Sequence, residues 1–301
     1  MRPSLRFSPI RRVHPLTARH PQPPAQPPAP ALTNPTSPGG PIIRRQYSGP
    51  YSGLRGPYSR SSSSSSSRLR SLVHQIRLIR SSAPLPALTT LHCQWYVSKN
   101  PTRNEEIEFC VRRNLENESI DRFVWYVPEE DLDSVPEWLR GEVFPISGRL
   151  SYGTVLRNAA ANKGSLHILI NTDIIIPQSS IGSLRARMKI DTVVCLTRWE
   201  SKISTFPEAR IVKGSNSQDL WAWCSFPLSP AYSSLLEAAD SIHLGIPGCD
   251  NRMAYEFNQV GVVINPAHSV KTYHIHTSAH RTYSVDTETV PRPYLKVPLT
   301  E

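Results

Sequence analysis

The first 98 residues of the chain contain neither aspartate nor glutamate. Thirteen arginines fall in the same region, so the formal charge of +10 comes from this tail, and the rest of the chain carries 21 basic against 24 acidic side chains, a net of −3. A slightly acidic folded region lacks the basic surface on which nucleic-acid binding depends. Only the tail is therefore a candidate for nucleic-acid binding.

Closely spaced cysteines and long apolar runs are also missing. The five cysteines are odd in number and contain no C-x-x-C pair, which argues against structural zinc and indicates a reducing compartment. No stretch approaches the roughly 18 apolar residues of a membrane span. A membrane-anchored arrangement is therefore not expected.

Residues 1–89 form a tail rich in arginine, serine and proline. They hold 16 of the 29 prolines and an unbroken run of seven serines at 61–67. Such a segment cannot bury enough apolar surface to fold, so it is expected to be disordered. Its composition is typical of a transit peptide, which would place the protein in a plastid or mitochondrion. A plain basic tail or a mis-called translation start has the same composition, and the protein would then be cytoplasmic.

The foldable part is expected at residues 90–284, and the proline-rich residues 285–301 are expected to run over its surface as an extended tail. Residues 90–97 and 121–128 read as strands on either side of a helix that begins near residue 100. This spacing is that of a βαβ unit. The apolar run 166–176 reads as a strand buried on both faces, as in the centre of a parallel sheet. We therefore predict a single Rossmann-like α/β domain with a mostly parallel central sheet and helices on both faces.

Two polar residues, Asn171 and Asp173, interrupt that apolar run. Two positions apart in an extended chain, their side chains would leave the same face of the strand. Ligands collect at the carboxyl ends of such strands, where a carboxylate can hold a divalent cation against a diphosphate. Alternatively, the two residues simply begin a turn. The residues alone leave both interpretations open.

Four features follow one another along residues 149–276. They are Arg149 with Tyr152 on a predicted helix, Asn171 with Asp173 at a strand end, Asp250 at a helix start, and the pair His274 and His276. Together they resemble the pattern of the GT-A glycosyltransferases. Segments 217–219, 248–252 and 274–276 are similar to a bacterial and viral-type branch of family 2-like glycosyltransferases. The resemblance covers residues 91–283, nearly all of the foldable chain.

The resemblance implies transfer of a sugar from a nucleotide-sugar donor to a carbohydrate or other hydroxyl acceptor, assisted by Mn²⁺ or Mg²⁺. It implies that Asp250 is the general base of an inverting reaction, with Asp219 as the second candidate. The implied metal ligands are Asp173, His274 and His276. The residues implied to contact the donor are Arg149, Tyr152, Asn171 and Asp173, and those implied to contact substrate are Gln218, Trp221, Trp223, Asn251 and Arg252.

The chain departs from the family pattern at Asn171, where the family has the first Asp of its metal-binding motif. An amide contributes no charge, so the departure implies that the metal is bound weakly or is dispensable. A non-catalytic nucleotide-sugar or carbohydrate-binding protein with a degenerate metal site is therefore an alternative. A sugar nucleotidyltransferase is a lesser one, because it would need a glycine-rich phosphate loop where this chain has residues 97–101, Val-Ser-Lys-Asn-Pro.

Each candidate residue also has an ordinary structural interpretation. Asp250 could be a helix N-cap, which is a common use of aspartate before a helix. Arg149 could form a surface ion pair of little energetic value. The two histidines could be half-buried strand residues, and the tryptophans could belong to the core.

Overall fold

The computed structural model describes residues 88–162, 164–212, 217–224, 230–277 and 289–300. All of them belong to one unit of the chain, Arg60–Glu301. The predicted tail and its transit-peptide interpretation lie outside the described residues, apart from the last two residues of the tail. Within the described ranges, no helix has the length and apolarity needed to cross a bilayer.

The described residues form five helices and eleven strands. The helices are α1 (Pro101–Leu115), α2 (Tyr152–Ala161), α3 (Gln178–Arg185), α4 (Pro230–Asp240) and α5 (Cys249–Asn258). The strands are β1 (Leu88–Gln94), β2 (Arg122–Pro128), β3 (Glu142–Ile146), β4 (Ser165–Ile170), β5 (Ile174–Ile175), β6 (Thr192–Leu196), β7 (Trp199–Ser201), β8 (Arg210–Ile211), β9 (Leu220–Trp223), β10 (Val262–Ile264) and β11 (Tyr273–Ile275).

Seven strands form the main sheet in the order β10-β6-β9-β4-β1-β2-β3. Six of them run parallel, and β9 lies antiparallel between β4 and β6. All six residues of β4 are buried, as a central strand covered on both faces requires. The predicted α/β class with a mostly parallel sheet is confirmed.

Helices cover both faces of this sheet and create two separate apolar cores. Ile107 of α1 and Ile181 of α3 belong to the core on one face. Leu156 of α2, Leu235 of α4 and Phe257 of α5 belong to the core on the other. Successive β4 residues alternate between the two cores, because side chains on a strand alternate between faces.

The apolar run predicted as one strand over 166–176 is two strands in two different sheets. β4 ends at Ile170, and the Ile174 amide donates to the Asn171 carbonyl at 3.2 Å, which closes a turn. β5 then pairs with β11 in a second sheet of order β5-β11-β7-β8. An apolar run indicates burial but not which strand will pair with it, so the break was invisible in the pattern.

Residues 289–300 form no helix or strand, but they are packed rather than loose. Val290 and Val297 are 6% and 4% exposed. The Val290 amide donates to the Pro247 carbonyl and the Leu295 amide to the Asn251 carbonyl, both at 2.9 Å. Most residues of this segment are exposed or half-buried, and these contacts attach it to the loop that leads into α5.

Candidate active-site cleft

A cleft of about 590 Å³ opens at the carboxyl edge of the main sheet. Its lining includes the last residues of β1 and β2, Gln94 and Pro128, and residues that follow β4 and β6, Asn171 and Arg198. Because β9 runs antiparallel, its beginning meets the ends of its neighbours, and Asp219 enters the cleft there. This is the edge at which open α/β sheets bind their ligands.

The turn after β4 delivers both of its polar residues to the cleft. Asn171 and Asp173 lie in this turn and both line the cleft, while their predicted role in holding a cation stays a prediction. Between them, the Thr172 hydroxyl donates to the Gln94 carbonyl at 2.7 Å, which fastens the turn to the end of β1. The turn is therefore held from the strand beside it.

Asp173 is bound by two donors from distant parts of the chain. Its Oδ2 accepts from Nη2 of Arg103 at 2.8 Å and from Nε2 of His274 at 3.0 Å. Burial by itself would raise the pKa of this carboxyl, but His274 and Arg103 hold the pKa well below its usual range. Its Oδ1 is buried and has no hydrogen-bond partner among the described residues.

His274 lies between two carboxylates. Its Nδ1 contacts Oε2 of Glu200 at 2.8 Å, while Nε2 contacts Asp173. Ionised carboxylates only accept hydrogen bonds, so both ring nitrogens must donate. Burial opposes the charged imidazolium, yet the two carboxylates raise the pKa of His274 to about 10. The His276 ring stacks on it with centroids 5.3 Å apart, and both histidines line the cleft.

The ion pairs continue from Glu200 across the cleft floor. Arg198 donates from Nε to Oε1 of Glu200 at 2.6 Å and from Nη1 to Oδ2 of Asp219 at 2.8 Å. Asn171 Nδ2 donates to the other oxygen of Asp219 at 2.8 Å. We call this alternating series the charge chain. Its members are Arg103, Asp173, His274, Glu200, Arg198 and Asp219.

Three members of the charge chain, Arg103, Glu200 and Arg198, were not identified from the sequence. Arg103 offered one signal, since it stands in the first turn of α1, where the helix dipole disfavours a cation. A basic residue in that position indicates a carboxylate partner, which the fold supplies as Glu106 and Asp173. The other two residues carry no comparable local signal.

As placed, the predicted metal ligands do not form a divalent-cation site. Hydrogen-bond donors occupy Oδ2 of Asp173, and both nitrogens of His274 contact carboxylates. Across the described ranges, no group of three or more His, Cys, Asp or Glu side chains has an arrangement suited to a metal ion. Mg²⁺ and Mn²⁺ prefer several oxygen ligands, and here only one carboxylate oxygen of the predicted set is open.

Asp250 lies on the other wall of the cleft, in the first turn of α5. The N-cap is Gly248, whose φ of +82° suits glycine, so Asp250 is not the cap. Its carboxylate oxygens accept hydrogen bonds from the backbone N–H of Gln218 at 3.1 Å and from the backbone N–H of Asn251 at 2.9 Å. Burial, reinforced by the charge of Asp219, raises the pKa of Asp250 to about 6 although its amide donors oppose the shift.

Three further cleft residues have polar groups that no described residue satisfies. Arg149 lines the cleft beside Gly245 and has no ion-pair or hydrogen-bond partner in the part of the chain that the structure describes. Gln218 is 1% exposed, and neither its Oε1 nor its Nε2 has a partner among the described residues. The same is true of Nε1 of Trp221, which also lines the cleft.

Four predicted ligand-contacting residues lie outside the lining of the cleft. Tyr152 is 1% exposed and points its hydroxyl at Sγ of Cys249, and Trp223 stacks in the core against His167. Arg252 binds Glu256 and two carbonyls of residues 291–292, and Asn251 packs against Asp250. Tyr152 and Trp223 belong to the core between the sheet and its helices, because α2 packs there and β9 is a central strand. Asn251 and Arg252 lie where the first turn of α5 meets the C-terminal segment.

No family model and no curated protein sequence matches the chain. It is similar to the solved structure of 4-diphosphocytidyl-2C-methyl-D-erythritol synthase from Anaerococcus prevotii, with 13% identity, a TM-score of 0.35, and 61% of this chain and 88% of that one covered. It is also similar to the inositol-1-phosphate CTP transferase from T. maritima, with 11% identity, a TM-score of 0.38, and 64% of this chain and 91% of that one covered. A third similar structure is S. aureus TarS 1–349, solved in complex with UDP-GlcNAc, with 11% identity, a TM-score of 0.42, and 67% of this chain and 62% of that one covered. The chain thus spans less than two thirds of the TarS structure.

Proposed function

We propose that this protein transfers a sugar from a nucleotide-sugar donor to a hydroxyl acceptor with inversion of configuration. One observation carries the proposal. A carboxylate with a raised pKa, Asp250, and an unpaired guanidinium, Arg149, open onto the same cleft at the carboxyl edge of the sheet. The first can take a proton and the second can bind an anion, and glycosyl transfer from a nucleotide requires both.

Asp250 supplies the base in this proposal. With a pKa of about 6 it is mostly ionised at neutral pH and still basic enough to accept a proton from the acceptor hydroxyl. The hydroxyl oxygen attacks the anomeric carbon as the bond to the diphosphate oxygen breaks. The electron pair of that bond leaves with the nucleoside diphosphate. A single displacement of this kind inverts the anomeric configuration.

Asp219, the second candidate base, serves another purpose. Arg198 forms an ion pair with its Oδ2 and Asn171 donates to its Oδ1, so taking up a proton would cost Asp219 the ion pair with Arg198, whereas Asp250 has no ion pair among the described residues. Its negative charge nevertheless contributes to the raised pKa of Asp250. We therefore assign Asp219 a positioning role and keep Asp250 as the base.

The unsatisfied groups on the cleft floor support a sugar as ligand. The Gln218 carboxamide can both donate and accept, and Nε1 of Trp221 donates. Leaving such groups buried without a partner costs roughly 1–3 kcal/mol each, so a ligand with hydroxyl groups would recover that loss on binding. Trp221 would contact such a ligand through its N–H group rather than by stacking, because its ring packs edge-on against Tyr152.

The loop after β1 disfavours a nucleotidyltransferase. Residues 95–100 contain no glycine, and the Ser98 amide donates to Oδ1 of Asn104 at 2.7 Å while the Val97 amide donates to Asp131. These amides already have partners within the chain. They are not arranged as a cradle of free N–H groups for a triphosphate.

The test uses the full chain with a panel of UDP-, GDP-, CDP- and ADP-linked sugars. A true donor raises the free energy of unfolding, by about 2.7 kcal/mol at 100 times Kd, and thermal shift detects this. With an acceptor mixture present, release of nucleoside diphosphate then reports transfer. Asp250→Asn should bind the donor and lose transfer, whereas the exposed Asp240→Asn should do both normally.

Two results would count against the proposal. If no nucleotide sugar stabilises the folded protein, the cleft has another ligand. If a donor binds but neither wild type nor Asp250→Asn releases nucleoside diphosphate with any acceptor, the non-catalytic binding protein is the better description.

A further inference from the structure

We propose that fixed guanidinium groups, those of Arg103 and Arg149, neutralise the diphosphate of the donor in place of a divalent metal ion. In this arrangement Asp173 is a positioning residue that holds Arg103 in the cleft. The inference rests on the proposed function, because it concerns the leaving group of that reaction. It departs from the metal-assisted mechanism that the sequence resemblance implies.

Arg103 is held rigidly at the cleft wall. Its Nη1 binds Glu106 at 3.0 Å, its Nη2 binds Asp173 at 2.8 Å, and Nε and Nη2 each lie 3.3 Å from the Tyr96 hydroxyl. The side chain is 13% exposed and lines the cleft. A cation fixed in this way needs no reorganisation as charge develops on a leaving group. Its contacts use four of its five N–H groups, so one N–H, on Nη1, is left to donate to a diphosphate oxygen.

A metal ion would have to compete with these contacts. Binding at Oδ2 of Asp173 would displace the N–H of either Arg103 or His274, and a buried charge that loses its partner is strongly destabilised. Oδ1 alone remains open, as a single oxygen ligand. The neighbouring Asn171 directs its N–H at Asp219 and brings no charge. The chemistry of this donor set favours a hydrogen-bonded guanidinium over a hard cation.

Arg149 is free to bind an anion. The carboxylates of Asp173, Glu200 and Asp219 are paired within the charge chain, and Asp250, which lines the cleft without an ion pair, is the proton acceptor of the proposed reaction. Glu130 and Asp131 also line the cleft, but they lie in a short 3-10 helix at its rim, where water screens them. Arg149 has no acidic partner among the described residues, so binding an anion costs it no existing ion pair.

The chemical step balances without a metal. The bond between the anomeric carbon and the diphosphate oxygen breaks, and its electron pair stays on that oxygen. Guanidinium N–H groups donate hydrogen bonds to the departing oxygens without transferring a proton. The one proton released, from the acceptor hydroxyl, goes to Asp250.

Calorimetric titration of the full chain gives the Kd of UDP, GDP, CDP, ADP and inorganic pyrophosphate, each measured in EDTA and in excess Mn²⁺. We expect at least one diphosphate to bind with Kd values that agree within about twofold between the two buffers. Arg149→Gln should weaken that binding about tenfold or more in both, since it removes a charge-assisted contact. The exposed Arg157→Gln should leave it unchanged.

Asp173→Asn separates the positioning role from a metal-ligand role. If Asp173 positions Arg103, the variant binds the diphosphate more weakly by the same factor in EDTA and in Mn²⁺. If Asp173 is a metal ligand, wild type binds at least tenfold more tightly in Mn²⁺ and the variant loses that difference. The second result overturns the inference and leaves the proposed function standing. No diphosphate binding in either buffer overturns both.

Discussion

The side-chain Nδ2 of Asn171 donates a hydrogen bond to Oδ1 of Asp219, 2.8 Å away. The backbone N–H of Asn171 also donates to the backbone carbonyl of Asp219, at 3.2 Å. A carboxylate at position 171 would face the carboxylate of Asp219 at this distance. The residue that sets this chain apart from the family pattern therefore binds the last member of the charge chain, Asp219.

Replacing Asn171 with the aspartate of the family pattern should therefore destabilise the fold. Asn171→Asp places two carboxylates in hydrogen-bond contact, so we expect the free energy of unfolding at pH 7 to fall by about 1–3 kcal/mol, because like charges at this separation oppose each other. Mn²⁺ should restore much of the loss by bridging the two carboxylates. Thermal shift with and without Mn²⁺ measures both effects. Asn258→Asp, on the exposed face of α5, is the matched control and should change stability by less than about 0.5 kcal/mol. An Asn171→Asp variant as stable as wild type would contradict the assigned contact.

The pH dependence of transfer should report Asp250. Because its pKa is raised to about 6, kcat/KM should fall as pH drops through 6, by about tenfold per pH unit below that value. Ionising a carboxyl whose folded pKa is raised costs stability, so above pH 6 Asp250→Asn should be at least as stable as wild type. Denaturant titration at pH 7.5 measures this. A strongly destabilised Asp250→Asn would instead indicate that the carboxylate is structural.

A pair of buried histidines should make the fold sensitive to mild acid. His92 contacts the Tyr126 hydroxyl at 3.0 Å through Nδ1 and Nδ1 of His167 at 3.1 Å through Nε2. Burial lowers both pKa values, that of His167 to about 4. Groups buried neutral contribute stability above the unfolded pKa near 6.5 and lose it as pH falls toward the folded value. We expect a loss of about 1.5 kcal/mol per histidine between pH 6.5 and pH 5.

Denaturant titrations across that pH range test the histidine pair. His167→Gln should flatten the pH dependence, while the exposed His268→Gln should leave it unchanged. His274 and Asp250 also change protonation on folding within this range, so the test rests on the difference between wild type and His167→Gln rather than on the wild-type slope alone. A pH dependence that is the same in wild type and His167→Gln would contradict the prediction.

Two glycines should respond to alanine in opposite directions. At Gly248 φ is +82°, and an added Cβ would lie 2.6 Å from the Tyr294 hydroxyl, so Gly248→Ala should lose about 2 kcal/mol or more. Gly182 lies inside α3 with open space around an added Cβ, so Gly182→Ala should gain about 0.5–1 kcal/mol. Urea titration of both variants measures the difference. An unchanged free energy of unfolding for Gly248→Ala would show that Tyr294 of the C-terminal segment does not pack against Gly248.

Much of the fold class was readable from local pattern. The apolar run around β4 and the βαβ spacing of β1, α1 and β2 follow from periodicities that belong to the chain itself. The same patterns placed Asn171 and Asp173 at the end of a central strand, and Asp250 at the start of a helix. Residues at strand ends and helix starts are predictable because their positions depend on neighbours in sequence.

Pairing across the sequence was not readable in this way. Leu220–Trp223 gave no sign that it would enter the sheet as an antiparallel strand, which places Trp223 in the core. Run 166–176 gave no sign that it would divide between two sheets. Hydrogen bonding between strands depends on which segments meet, and that is decided by packing rather than by the composition of one segment.

The sequence by itself determined that this is an α/β chain with a separate basic tail, and that polar residues gather where its central strands end. Only the tertiary structure decided what those residues do. Asp173 lies 70 residues from Arg103 and 101 residues from His274, and all three meet at one carboxylate. The energy of such a contact depends on distance and burial in three dimensions, neither of which a local sequence pattern records.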